Sequence, residues 1–222
     1  MRNPAKTIEA PPDVIIGLGN PGPKHDRDRH NAGFWFIDFL ARRNDDPEFT
    51  SHSRAKAEVA EVVIEDHPVL LARPQAWMNQ SGLVVRTLLK YMNLPTSAAM
   101  IVHDDIDLPL GTARLKTGGG HGGHNGLRDI IRHCGPDFQR LRLGVGRPGD
   151  RDDVTPYVLS RPPLEETEEI AAAMVSAMLA IETLYADGMQ KAMTELHSGD
   201  EDIQPPKKKK ARILFFRKFF KK

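Results

Sequence analysis

At 222 residues, with 40% apolar and 27% charged side chains, the chain is long enough to bury a sizeable core and has a globular composition. Its single cysteine, Cys134, excludes an internal disulfide framework and fits a reducing compartment, and the opening MRNPAKTIEAPP lacks the apolar centre of a signal peptide. The net charge of +1 conceals an asymmetry: residues 207–222 carry nine Lys/Arg and no acid, residues 165–206 ten acids against Lys191 alone, so total charge argues neither for nor against a nucleic-acid partner.

Residues 1–12 read as a flexible N-terminal arm. Val14 to Gly19 reads as a buried central strand, a continuous apolar run bounded by glycines. Asn31 is placed to cap a helix running to about Arg43, with Gly33, Phe36, Ile37 and Leu40 on its core face and Asn44-Asp45-Asp46-Pro47 ending it. Ala57–Ile64 and Val69–Ala72 read as strands joined by a turn at Glu65-Asp66-His67-Pro68. A loop from Arg73 to Gly82 leads into a helix striped by Val85, Leu88, Leu89 and Met92, and Met100–His103 is a short strand ending at Asp104-Asp105. The glycine cluster 118–123 precedes His124-Asn125 and a helix from about Leu127; Leu141–Val145 is a further strand. Ile170, Ala173, Met174 and Ala177 mark a long helix reaching about Tyr185, and its low-charge stretch, Ile170 to Ile181, is about half a membrane span. Alternating strands and helices predict an α/β fold: a single three-layer globule over 13–197, its central mixed, mainly parallel sheet flanked by helices. Residues 198–222 read as a disordered basic and aromatic tail, and a soluble, cytoplasmic protein is expected.

The residues able to carry chemistry lie where strands end or helices begin. Gly17-x-Gly19-x-x-Gly22 matches a dinucleotide fingerprint in form, but Pro21 and Pro23 prevent a helix from starting through it, so its anion-binding helix end is missing. Gly118 to Gly123 lacks the Lys-Ser/Thr of a phosphate loop and reads as a hinge or lid. His30 is the candidate general base, because imidazole titrates near neutrality, and Asp104 at a strand end is the natural acceptor to orient it. Asn20, Asn79 and Asn125 are either ordinary turn residues or amides arranged to donate and accept around a substrate with carbonyls and a developing oxyanion. With Cys134 at a helix end and Ser81-Gly82 outside any nucleophile-elbow context, water is the expected nucleophile. A zinc site built from His103, His121, His124, Asp104 and Asp105 is the alternative, unsupported by an HExxH motif or a cysteine pair.

Five segments in consistent order over residues 13–188 make the chain resemble the bacterial-type peptidyl-tRNA hydrolases. They are GLGNPG…RHNAGF at 17–34, PxxWMNxSG at 74–82, HDDIDLPLG at 103–111, GGGHGGHNGLRDI at 118–130 and RLRLGVGRP at 140–148. The resemblance implies a monomeric α/β enzyme that cleaves the ester between a nascent peptide and the terminal ribose of tRNA, with no metal, no cofactor and no obligate protein partner. It assigns His30 as the base that activates water, Asp104 as the carboxylate that orients it, and Asn20 and Asn79 as amides holding the reacting centre and the peptide. Asn125 matches the amide linked to water placement and the tRNA end, while Met78 and His124 line the crevice.

Three positions depart from the family pattern. His25 replaces the usual tyrosine five residues before the catalytic histidine, Asp28 the usual threonine two residues before it, and Trp77 a common phenylalanine or tyrosine. His25 keeps a ring with a polar tip, so it and Trp77 stay in the substrate-binding set, and activity is expected to be retained. Arg128, Arg132, Arg140, Arg142, Arg147 and Arg151 are the candidate tRNA-binding surface, since phosphates are held by sequence-independent charge. The tail from Lys207 to Lys222, basic residues interleaved with four phenylalanines, is outside the family motifs. It fits RNA or ribosome contact, an anionic membrane surface, a nuclear address, or plain solubilisation. The alternative to an enzyme is a non-catalytic RNA-binding relative of the same fold, which would have no need of His30, Asp104 and the three asparagines together.

Overall fold

The computed structural model describes residues 10–150 and 153–198; the expectations for the arm before residue 10, for Arg151 and for the tail after residue 198 fall outside them. The apolar run near the start forms β1 (Val14–Gly17), every residue of which is buried. Ile15 points into one core and Val14 and Ile16 into the other, so a strand covered on both faces reads as continuously apolar. After α1 (Ala32–Arg43) come β2 (Thr50–His52), β3 (Ala57–Ile64) and β4 (His67–Pro74), paired antiparallel in succession. The expected four-residue turn is shorter: Glu65 and Asp66 alone take positive φ, +48° and +64°, and Pro68 is already paired with Val63.

The chain continues through α2 (Ser81–Met92), β5 (Ala99–Asp105), β6 (Ala113–Thr117), α3 (Asn125–Cys134), β7 (Gln139–Gly144), α4 (Val154–Val158), α5 (Leu164–Asp187) and α6 (Met189–Ser198). Four of these elements were not expected. β2 and β6 are short edge strands with exposed polar residues, α4 spans five residues around Pro156, and α6 is split from α5 by Gly188 at φ +92°. The sheet order is β2-β3-β4-β1-β5-β7-β6. Pairing is parallel through the centre, β4-β1-β5-β7, and antiparallel at both edges, so the expected mixed sheet is found with its parallel part confined to the middle.

One core packs α1, α5 and α6 on one face of the sheet, and the other packs α2 and α3 on the opposite face. Helix α5 is long and apolar enough to cross a membrane, but half of its 24 residues are buried, Ile170, Met174, Ala177 and Ile181 among them, as in a core helix. The start of α1 lies tight on the sheet because Gly17 and Gly33 permit it: a Cβ on Gly17 would strike the Gly33 carbonyl, and one on Gly33 would strike Leu18 and the Val102 carbonyl. That approach sets the turn preceding α1 over the carboxyl ends of β1 and β5.

Candidate active site

A cavity of about 750 Å³ opens at the carboxyl ends of the parallel strands, where open α/β sheets place their ligands. His30, in the 3₁₀ turn Arg29–Asn31 before α1, meets there Asp104 from β5, Asn20 from the loop after β1, and Met78 and Asn79 from the turn after β4. His124 and Asn125 arrive at the start of α3.

The centre is a carboxylate shared by two imidazoles. His30 Nδ1 lies 2.9 Å from each oxygen of Asp104, and His124 Nε2 lies 3.0 Å from Oδ1. The His124 tautomer follows from its own neighbours: its Nδ1 accepts the backbone N–H groups of Gly126 at 3.1 Å and Leu127 at 3.3 Å, so the proton sits on Nε2 and points at Asp104. The same two bonds cap α3, which therefore starts at Asn125 rather than near Leu127. His30 donates from Nδ1, leaving Nε2 for the cavity it lines. Burial works against charge on both partners, yet their attraction wins: the Asp104 carboxylate raises His30 above its ordinary 6.5, and His30 and His124 hold Asp104 well below the carboxylate range. Beneath them His103 donates from Nδ1 to the Asp104 carbonyl at 2.7 Å, and burial together with His124 pushes it down to about 3.

His30, Asp104 and His124 also form the one group of potential metal ligands among the described residues, with ligand atoms within 4.8 Å. It shares His124 and Asp104 with the zinc set that the sequence offers, but has His30 in place of His103, His121 and Asp105. In this arrangement each histidine nitrogen facing Asp104 is already hydrogen-bonded to it.

Asn20 is aimed by two contacts invisible in sequence. Its backbone exchanges hydrogen bonds with the Asn31 side chain, N to Oδ1 and O to Nδ2, both at 2.9 Å. Its own Oδ1 accepts the Met78 N–H at 2.9 Å, which identifies the oxygen and turns Nδ2 to the cavity. Asn31 is thus the residue before α1, as expected, but its side chain makes no cap bond; it locks the Asn20 loop instead. Asn79 and Asn125 are exposed, the latter accepting from Arg128 Nη1 at 2.9 Å.

Other expected site residues divide. Trp77 stands 54% exposed at the cavity mouth, whereas His25 stands behind it, outside the lining. Arg128, Arg132 and Arg147 are exposed, and Arg147 pairs with Asp107 at 3.0 Å. Arg142 lines the cavity with its Nε on Asp105 at 2.7 Å. Arg140 departs from the expected surface: it is 3% exposed, lies over the Phe138 ring, and donates to the carbonyls of Gly119 and Gly120. Its guanidinium ties down the first half of the glycine cluster that the sequence suggests as a lid.

Nothing local in the sequence marks Arg29, because its partners lie about 130 residues away. It is 4% exposed, stacks 4.1 Å from the Tyr157 ring, and donates to Ser160 Oγ at 2.7 Å and Glu166 at 2.6 Å. It therefore fixes the cavity wall made by Val154, Thr155, Val158 and Leu159 relative to its neighbour His30.

A family model described as peptidyl-tRNA hydrolase matches residues 14–206. The peptidyl-tRNA hydrolase of Alkalilimnicola ehrlichii is 47% identical over 190 residues, covering 85% of this chain and 96% of that protein, and that of Halorhodospira halophila is 46% identical over 186 residues, covering 83% and 95%. The crystal structure of peptidyl-tRNA hydrolase from Acinetobacter baumannii superposes with a TM-score of 0.80 at 39% identity, covering 83% of this chain and 94% of that one.

Proposed function

The chain belongs to the peptidyl-tRNA hydrolase family, and from that premise we propose that His30, oriented by Asp104, activates the water that cleaves the ester of its substrate. The enzyme is a hydrolase of peptidyl-tRNA. Neutral His30 keeps its Nδ1 proton on Asp104 and offers Nε2 to a water in the cavity. As that water bonds to the ester carbonyl carbon, its proton passes to Nε2 and the carbonyl oxygen becomes an oxyanion. Asp104 remains ionised and stabilises the imidazolium, and the second donor on it, His124, keeps the carboxylate from turning. The Asn20 Nδ2 donor, aimed by Met78 and Asn31, is suited to the oxyanion, with Asn79 beside it. Collapse breaks the bond to the ribose oxygen, which takes the proton back from His30, leaving free tRNA and a peptide acid that gives its remaining proton to solvent.

Sheet order suggests which way the substrate lies. Asn20, Trp77 and Asn79 follow β1 and β4, on one side of His30, and form an uncharged wall suited to the peptide, with Met78 beneath. Lys116 and Arg142 lie on β6 and β7, on the other side, and with exposed Arg128, Arg132 and Arg147 suit the tRNA phosphates; Asn125 stands between. Arg140 supports that side through the glycine loop.

The observation that carries this reading is the His30 ring fixed through Nδ1 on both oxygens of Asp104, with its opposite nitrogen toward the cavity. The test is release of peptide from N-acyl-aminoacyl-tRNA in excess chelator, by the wild type and by His30→Ala. Chelator-resistant cleavage that the variant loses by at least about 10²-fold supports the base. Cleavage lost in chelator alone would move the chemistry to a metal held by His30, Asp104 and His124. Well-folded wild type that binds tRNA without cleaving would return the chain to an RNA-binding role.

A further inference from the structure

A second imidazole–carboxylate pair stands five residues before the first. His25 Nδ1 lies 2.8 Å from Asp28 Oδ2, with side chains 17% and 11% exposed. Asp28 has no other hydrogen-bond donor to its carboxylate among the described residues. On its far side His25 packs T-shaped against the Trp77 indole, ring centres 5.6 Å apart at 87°. Trp77 lines the cavity mouth beside Met78 and Asn79, and His25 does not. Contact thus runs from a buried carboxylate, through a fixed imidazole, to an exposed indole and on to the cavity.

The loop beneath this relay is itself pinned. Trp35 Nε1 donates to the Asp26 carbonyl at 2.7 Å, His25 N–H to Gly22 at 3.0 Å and Asp28 N–H to His25 at 2.9 Å. An indole 54% exposed would otherwise sample several rotamers; here it makes a T-shaped contact with a ring whose own orientation is set by a carboxylate. The wall it belongs to carries amides and no ionised group, so it suits an uncharged side chain.

Resting on the substrate orientation proposed above, we propose that His25 and Asp28 act as one coupled positioning unit, holding Trp77 as the wall against which the ester-linked residue of the peptide packs. The pair sets affinity and side-chain preference and leaves the chemical step to His30. Coupling follows from the physics of the pair. His25→Tyr alone leaves the Asp28 carboxylate buried without a donor, and Asp28→Thr alone frees the imidazole to turn. Changing both removes both faults, and a phenol ring needs no carboxylate to face the indole.

The test is a double-mutant cycle on His25→Tyr and Asp28→Thr, reading KM and kcat with tRNA carrying N-acyl-phenylalanine or N-acyl-glycine. Each single variant is expected to raise KM for the phenylalanyl substrate roughly three- to tenfold, and the double to return to within about twofold of wild type. Changes in kcat and in the glycyl KM stay smaller. Asp28→Asn keeps an acceptor for His25 and serves as a gentler second variant should the threonine fail to fold. A readout independent of turnover is the Trp77 indole N–H resonance, identified by its loss in Trp77→Phe, which shifts in Asp28→Asn although Asp28 does not touch the indole. Additive losses in the double variant, losses confined to kcat, or an unmoved resonance would each overturn the proposal. A wild type that cleaves neither substrate would instead overturn the catalytic reading, and the resonance would still decide the positioning.

Discussion

The His30–Asp104 and His25–Asp28 pairs use the same two groups and differ in nearly everything else. The first joins residues 74 apart, is buried, and has both carboxylate oxygens engaged, one of them by a second histidine. The second joins residues three apart on a loop at the rim, with one oxygen engaged and an exposed tryptophan beyond it. A fully bonded, desolvated pair holds a base in one orientation and one proton pattern, which suits bond breaking. A local pair near solvent fixes a ring without isolating it, which suits a wall that must accept varied peptides.

Disrupting each pair should separate these roles. The largest effect is expected from Asp104→Asn, which removes the charge that stabilises the His30 imidazolium and sets a Nδ2 donor against the other histidine; kcat falls about 10²–10⁴-fold in single-turnover assays. The same variant moves the pH profile. Asp104 raises the His30 pKa above 6.5, and the base works only when neutral, so wild-type kcat/KM rises with pH through a midpoint above 6.5. In the asparagine variant that midpoint falls, and a midpoint left in place would detach the limb from this pair. The linked stabilities have opposite signs. The His30 contribution is complete below pH 6.5 and fades as pH climbs through the raised value, whereas that of Asp104 is present above ordinary carboxylate values and fades on acidification.

Arg29→Met comes next, because it strips a buried cation from Ser160, Glu166 and the Tyr157 ring. Glu166 remains 30% exposed, so the loss of stability in urea melts should be about 2–3 kcal/mol, below that for a fully buried pair. Trp77→Ala should raise KM about five- to tenfold with kcat nearly unchanged, the mark of binding energy shared by ground and transition states. The smallest effect falls on Lys116→Ala: a uniform weakening of tRNA binding and a decrease of about one in the salt-dependence slope, measured by titration across salt concentrations.

Much of this molecule was legible in sequence because the signals are local. The run 14–17, striped α2 and the glycine and asparagine loops follow from residue type and spacing, and five ordered motifs carried the family and pointed to His30, Asp104, Asn20 and Asn79, which line one cavity. Short polar edges such as β2 and β6 lack such a signal, since an exposed strand of a few residues owes its pairing to its neighbour. Asn31 misled for a related reason: it stands where a cap belongs, and only the approach of the Asn20 loop decides what its side chain does. The sequence by itself determined which chemical groups are present and which loops present them. The tertiary structure alone decided that Arg140 is buried under the glycine loop, that Arg29 holds the far wall, that two histidines share one carboxylate and that His25 backs Trp77, because hydrogen-bond partners and desolvation depend on distances that chain order does not carry.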